Sequence, residues 1–172
     1  VIDLSEIAQK SGRAMPMILG KELFHAVVVD VDYPGKRIRF HDPARFRYDG
    51  PGRSTELLPG DDGHKSVRLQ MEGGAPVVVG LDTGQGGALT VFGPYADERG
   101  FLAGRALSEA KSGGVGGFRI SKTGTLRSVT LAGFEIPNVP VTFHTENVKG
   151  AFDTRRQAGN LGAGLLNRFR VL

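Results

Sequence analysis

The sequence predicts an all-β protein, mainly strands with one to three short helices. Three observations lead there. The 172 residues include 26 glycines and 9 prolines with only 8% aromatics, a composition rich in turns. Short valine-rich runs such as Val77-Val78-Val79 are bounded by Gly and Pro and are too short for helices. Other runs alternate strictly, as Arg37-Ile38-Arg39-Phe40-His41 does, and that period belongs to a half-buried strand. An apolar content of 40% supports a core, and the length fits one domain or one domain with an appendage.

Taken in order, residues 1–43 open with a helix signal. Asp3 precedes Glu6 by a capping-box spacing, and Gly12 can close the helix. Met17-Ile18-Leu19-Gly20 and Leu23-Phe24 lead to the strand Ala26-Val27-Val28-Val29-Asp30-Val31. Tyr33-Pro34-Gly35-Lys36 has Pro and Gly where a type II turn wants them. The next strand is expected to turn Ile38 and Phe40 inward and its arginines outward, and Asp30 and Asp32 read as solvated edge residues. Residues 44–64 are polar and rich in Gly, Pro and Asp, so they read as an exposed linker.

Residues 65–172 form the main unit. Val67, Leu69 and Met71 alternate as a strand, Gly73-Gly74 turns, and the Val77 run follows. Leu89–Phe92 is another strand, and 94–107 predicts one helix or two, broken by Gly100 and Gly104. Gly113-Gly114-Val115-Gly116-Gly117 reads as a mobile glycine hairpin or loop. Leu126–Leu131 is a strand, Gly133 turns it, and Val139–Phe143 returns.

The absence of cysteine excludes disulfides, thiolate metal sites and a cysteine nucleophile. His25, His41, His64 and His144 show no metal spacing, so no metal and no cofactor is expected. No stretch approaches the ~18 apolar residues of a membrane span. The net charge of +4 is spread along the chain and reads as a solvated surface, not a nucleic-acid face. A start at Val1 with no charged-then-apolar leader reads as a processed or excised piece.

The chemistry-bearing stretch is Val77-Val78-Val79-Gly80-Leu81-Asp82-Thr83-Gly84. A carboxylate closing a buried strand is costly to desolvate unless something pairs or uses it. Gly84 lets the backbone turn sharply behind Asp82, and the Thr83 hydroxyl can bond across a tight loop. The arrangement presents one carboxylate at a fixed place, which points to acid/base chemistry.

One internal repeat is present. Leu19-Gly20-Lys21-Glu22-Leu23-Phe24 with Val29 matches Leu161-Gly162-Ala163-Gly164-Leu165-Leu166 with Val171, at a constant offset of 142 (19 to 161, 23 to 165, 29 to 171). Both copies read as strand, glycine turn, one helical turn and strand.

Several stretches in this order carry a family resemblance. They are Leu81-Asp82-Thr83-Gly84, the glycine segment 113–117, Leu126 to Val141 and Asn160 to Phe169. Together they resemble the retropepsin-like aspartic proteases of bacteria over most of 65–172. Residues 2–42 resemble the closing part of another such lobe. The resemblance implies a closed, retropepsin- or pepsin-lobe-like barrel, and an upstream lobe whose tail is 1–43. It implies an aspartic endopeptidase in which Asp82 and a second aspartate, from that lobe or from a homodimer partner, activate a water to hydrolyse an extended peptide. Thr83 would tie the two active loops together and Gly84 would let the loop turn. Leu161 and Gly162 would pack beneath the aspartate, and Gly113, Gly114, Val115, Gly116 and Gly117 would form the flap over substrate. Bacterial members are often exported, so a periplasmic or secreted location follows from the resemblance.

One position departs from the pattern: Gln85 stands where the family has alanine or serine, followed by Gly86-Gly87. A longer amide there could alter the carboxylate's hydrogen bonding or block the shared water. The alternative reading is therefore an inactive peptide-binding or dimerisation module. A third is a β-sandwich or barrel binding module unrelated to proteolysis.

Overall fold

A computed structural model describes residues 4, 5, 8, 9, 12–60, 63–114, 117–144 and 157–172. Three helices and eleven strands follow one another among them. The helices are α1 (Lys21–Ala26), α2 (Gly93–Glu98) and α3 (Ala163–Leu166). The strands are β1 (Val28–Asp32), β2 (Arg37–His41), β3 (Leu58–Pro59), β4 (Lys65–Met71), β5 (Val77–Asp82) and β6 (Leu89–Val91), then β7 (Ser108–Gly114), β8 (Gly117–Leu131), β9 (Phe134–Phe143), β10 (Gly159–Gly162) and β11 (Arg170–Val171).

The fold is mainly β, and its larger sheet closes into a barrel. The ring runs β4-β5-β10-β6-β9-β8 and returns to β4, because β4 pairs with β5 through its first half and with β8 through its second. Closure removes the free edges that an open sheet would expose. Inside lie the alternating residues that the sequence marks, Val67, Leu69 and Met71 on β4, with Val79, Leu89, Val91, Leu126, Val129, Val139, Val141 and Phe143. The β8–β9 hairpin turns at Ala132-Gly133, both with positive φ (49° and 75°), as a two-residue turn between right-twisted strands needs.

Not every expected element keeps its expected extent. Asp3 and Glu6 lie outside the described residues, but Gly12 does close a helical turn: its N–H bonds Gln9 O and the Arg13 N–H reaches back to Ala8 O at 3.2 Å. Of the helix expected over 94–107, only α2 forms. Gly100 ends it at φ 64°, with the Phe101 N–H reaching back to Ala96 O at 2.9 Å. The strand at 126–131 begins much earlier, at Gly117, because β7 and β9 both offer it backbone partners. Within 44–64, Leu58-Pro59 add a short strand to β4, and Arg53 lies over the Phe134 ring at 4.7 Å while bonding Gly133 O.

A second sheet, β11-β1-β2, stands apart from the barrel ladder. Here the sequence reading of sidedness is overturned. Ile38 and Phe40 point outward, 59% and 50% exposed, while Arg39 and His41 turn in. The cause is Asp30, which is fully buried rather than solvated. A buried carboxylate needs charged hydrogen-bond partners, so it selects the arginine face. Arg170 supplies two bonds at 2.8 and 2.7 Å, and Arg39 a third at 3.2 Å. The Asp30 cluster thereby ties all three strands together.

The Arg170 hydrogen bonds, opposed by burial and reinforced by Arg39 and by His41, hold the Asp30 carboxyl well below the usual carboxylate range. A depressed folded-state value contributes stability that is complete above the unfolded value of about 3.9 and is lost progressively as pH falls from there through the folded one. Asp30→Asn is therefore expected to cost about 2 kcal/mol from pH 7 down to about pH 4, and progressively less below that. Thermal unfolding of both proteins across that range checks it.

Candidate active site

β5 carries Leu81 and Asp82 to the rim of the barrel, where the chain turns through Thr83 and Gly84. The turn is built by the carboxylate itself. Asp82 Oδ1 accepts the N–H groups of Gly84 at 3.0 Å and Gln85 at 3.1 Å, and the Gln85 N–H also lies 3.2 Å from Asp82 O. An aspartate that bonds the backbone two and three residues on fixes its own rotamer. Among the described residues no donor reaches Oδ2, so one oxygen is committed to the loop and the other remains open. Asp82 is half-buried, and Thr83 and Gly84 are exposed.

The neighbouring strand is β10, inserted between β5, to which it is parallel, and β6, to which it is antiparallel. Its register sets Leu161 against Leu81 and Gly162 against Asp82. Leu161 is buried, 1% exposed. Gly162 has no room for a side chain. A Cβ there would strike the carbonyl oxygen of Gly87, and would meet Gln85 O at 2.7 Å and Gln85 Nε2 at 2.9 Å. The loop after Asp82 and the turn into α3 are laced together by Gly162 N–H to Ala88 O, Ala163 N–H to Gln85 O and Gly164 N–H to Gly87 O, at 3.0, 2.8 and 3.1 Å.

The Gln85 side chain runs beneath the loop. Its Oε1 accepts the Thr90 hydroxyl of β6 at 3.2 Å, and its buried Nε2 has no acceptor among the described residues. The amide is thus engaged with the barrel wall, on the Thr90 and Gly162 side of the loop. Thr90 is a participant that sequence reading missed; its only signal was a hydroxyl inside the apolar run Leu89-Thr90-Val91.

The glycine segment lies on the β7–β8 hairpin, which continues the barrel sheet beyond the stave β8 and is in no ladder with β5 or β10. Gly113 pairs with Phe118 and Gly114 with Gly117, while Val115 and Gly116 fall outside the described residues. The structure thus joins Asp82, Gly84, Gln85, Leu161 and Gly162 in one hydrogen-bonded assembly, to which the glycine hairpin is not paired. Among the described residues no cluster of three His, Asp or Glu could hold a metal, and no helix is long and apolar enough to cross a membrane.

No protein-family model and no curated protein matches the sequence. Solved structures do resemble the fold. One is the crystal structure of a retropepsin-like aspartic protease from Rickettsia conorii, 21% identical, covering 70% of this chain and 86% of that one, with a TM-score of 0.49. The likeness is one of fold.

Proposed function

We propose that this chain is a lobe of an aspartic endopeptidase, in which Asp82 and a second aspartate share one water and hydrolyse peptide bonds. The observation that carries the reading is the Asp82 loop: a carboxylate at a strand end, one oxygen bound by its own loop and the other open, braced by Gly162 on the adjacent strand. Two such carboxylates side by side cannot both ionise, so the pair shares a proton and titrates as a unit. The ionised member takes a proton from the water as it attacks the peptide carbonyl. The protonated member donates to the carbonyl oxygen. The β7–β8 hairpin would act as the flap over an extended peptide held partly by backbone pairing. The direction of the Gln85 amide, into the barrel wall, favours this reading over an inactive binding module.

The second carboxylate belongs, in this reading, to a companion lobe whose closing tail is residues 1–43. The repeat supports it. Gly20 and Gly162 both precede a short helix in extended conformation, with ψ of 178° and 174°. In the second copy Leu161 is sealed between β5 and β6; its counterpart Leu19 is 48% exposed, beside Met17 at 68%. The first copy has the same motif without the strands that cover it. The slot in this barrel is filled by β10, so the cover for 17–20 is a barrel lacking its own such strand. The strands that follow the two copies, β1 and β11, pair antiparallel (Val31 with Val171), as a two-fold relation between two lobes requires.

Cross-strand partners share a face, so Val29, Val31, Ile38 and Phe40 form one apolar side of the small sheet, which Val171 on β11 joins to the barrel core it packs against. That side is the surface a companion lobe would cover. Ile38→Glu with Phe40→Glu is expected to change barrel stability by no more than about 0.5 kcal/mol while abolishing cleavage. Denaturant unfolding and a peptide-cleavage assay check this. The reading as a whole is tested by incubating the protein with a library of extended peptides. Cleavage stopped by a pepstatin-type inhibitor supports it, and peptide binding without cleavage supports the inactive module.

A further inference from the structure

We propose that Gln85 is a positioning residue for Asp82, acting through a side-chain strut to Thr90. This deepens the proposed function and rests on Asp82 being the catalytic carboxylate. Three elements meet on this one residue. Its backbone N–H holds Asp82 Oδ1 at 3.1 Å, its carbonyl receives the Ala163 N–H at 2.8 Å, and its Oε1 receives the Thr90 hydroxyl at 3.2 Å. The first bond sets the carboxylate, the second ties the loop to the start of α3, and the third pins it to β6. A tilt of residue 85 is therefore passed directly to the oxygen that orients Asp82.

The choice of glutamine argues for this role. Its Nε2 is buried with no acceptor among the described residues, close to where a Cβ on Gly162 would stand. A stranded buried donor carries a cost that a methionine of similar length would not. What glutamine supplies and methionine cannot is the acceptor for Thr90, which is itself buried and would otherwise lose its partner. A small residue at 85 would keep both backbone bonds, lose the strut and leave a void under Gly162. The loop could then shift while the barrel stayed closed.

The experiment compares wild type with Gln85→Met, Thr90→Val and Thr90→Ser in the full chain, in its cleaving form. Breaking either end of the strut is expected to lower kcat on the order of tenfold with KM nearly unchanged, because misplacing a reacting group affects the chemical step more than binding. Thr90→Ser keeps the hydroxyl and is expected to recover most of that loss. The Gly84 and Gln85 amides, which hold Asp82 Oδ1, are expected to exchange hydrogen about tenfold faster in Gln85→Met and Thr90→Val. Unchanged kcat and unchanged exchange with only a lower Tm would make Gln85 a packing residue and overturn the proposal. Should wild type cleave no peptide, the protease reading fails separately. Amide exchange then decides the strut alone: faster exchange in the variants upholds it, and equal protection removes it.

Discussion

Replacing Asp82 by Asn is expected to lower peptide cleavage by on the order of 10²–10⁴-fold while the barrel stays folded. The two halves of that expectation come from different atoms. Asn keeps an acceptor oxygen, so the bonds from the Gly84 and Gln85 N–H groups survive and the loop keeps its shape. It loses the ability to carry the charge that removes a proton from water. Asp82→Ala removes both, and is expected to abolish cleavage and also loosen the loop. Cleavage rates measured with Tm for all three proteins separate chemistry from folding. Activity retained in Asp82→Asn would exclude this carboxylate from the reaction.

Gly162→Ala is the second large effect. The added methyl meets three atoms at once, two of them the backbone oxygens of Gln85 and Gly87, which are held in the loop bonds from Ala163 and Gly164. Backbone cannot rotate away as a side-chain tip can. The expected destabilisation is about 3 kcal/mol, with cleavage lost because the same movement displaces Gln85 and through it Asp82. Neighbouring glycines provide internal contrasts. A Cβ on Gly86 meets nothing within 4 Å, so Gly86→Ala is expected to be nearly silent. On Gly84 it would come 3.3 Å from Asp82 Oδ1, a contact that a small shift relieves, so Gly84→Ala should fall between the two. Denaturant unfolding and cleavage of the three variants give the ordering directly.

The barrel was legible because its inward residues alternate on single strands and its turns carry Gly at positive φ. Val67, Leu69 and Met71 needed no partner to declare their side. The Asp82 loop was legible because a carboxylate, a hydroxyl and a glycine at the end of a valine run leave few geometries. Alternation alone could not say which face of β2 is buried. Ile38 and Phe40 are the apolar set, yet they lie outward, because Asp30 requires Arg39 beside it and Arg170 from the far end of the chain. The direction of the Gln85 side chain was equally hidden. An amide beside a carboxylate can point over it or under it, and only the Thr90 hydroxyl on β6 decides. The early part of β8 carries Ser, Lys, Thr and Gly instead of an apolar pattern. It is a strand because β7 and β9 pair with it, which is information outside its own residues.

The placement of β10 has a consequence for how the polypeptide is made. Residues 159–162 are a middle stave of the barrel, flanked by strands synthesised roughly 70 to 80 positions earlier. A ribosome that has emitted everything up to Phe143 has produced five of the six staves and no closed ring. Leu81 and Leu89 then face water along two unsatisfied edges, the kind of surface on which nascent chains stick to one another. Closure waits for a short stretch of four residues, made well after its two neighbours, to thread home between them, a contact of long sequence separation and slow formation. Premature termination just before Gly159 should therefore yield aggregates rather than a smaller folded protein.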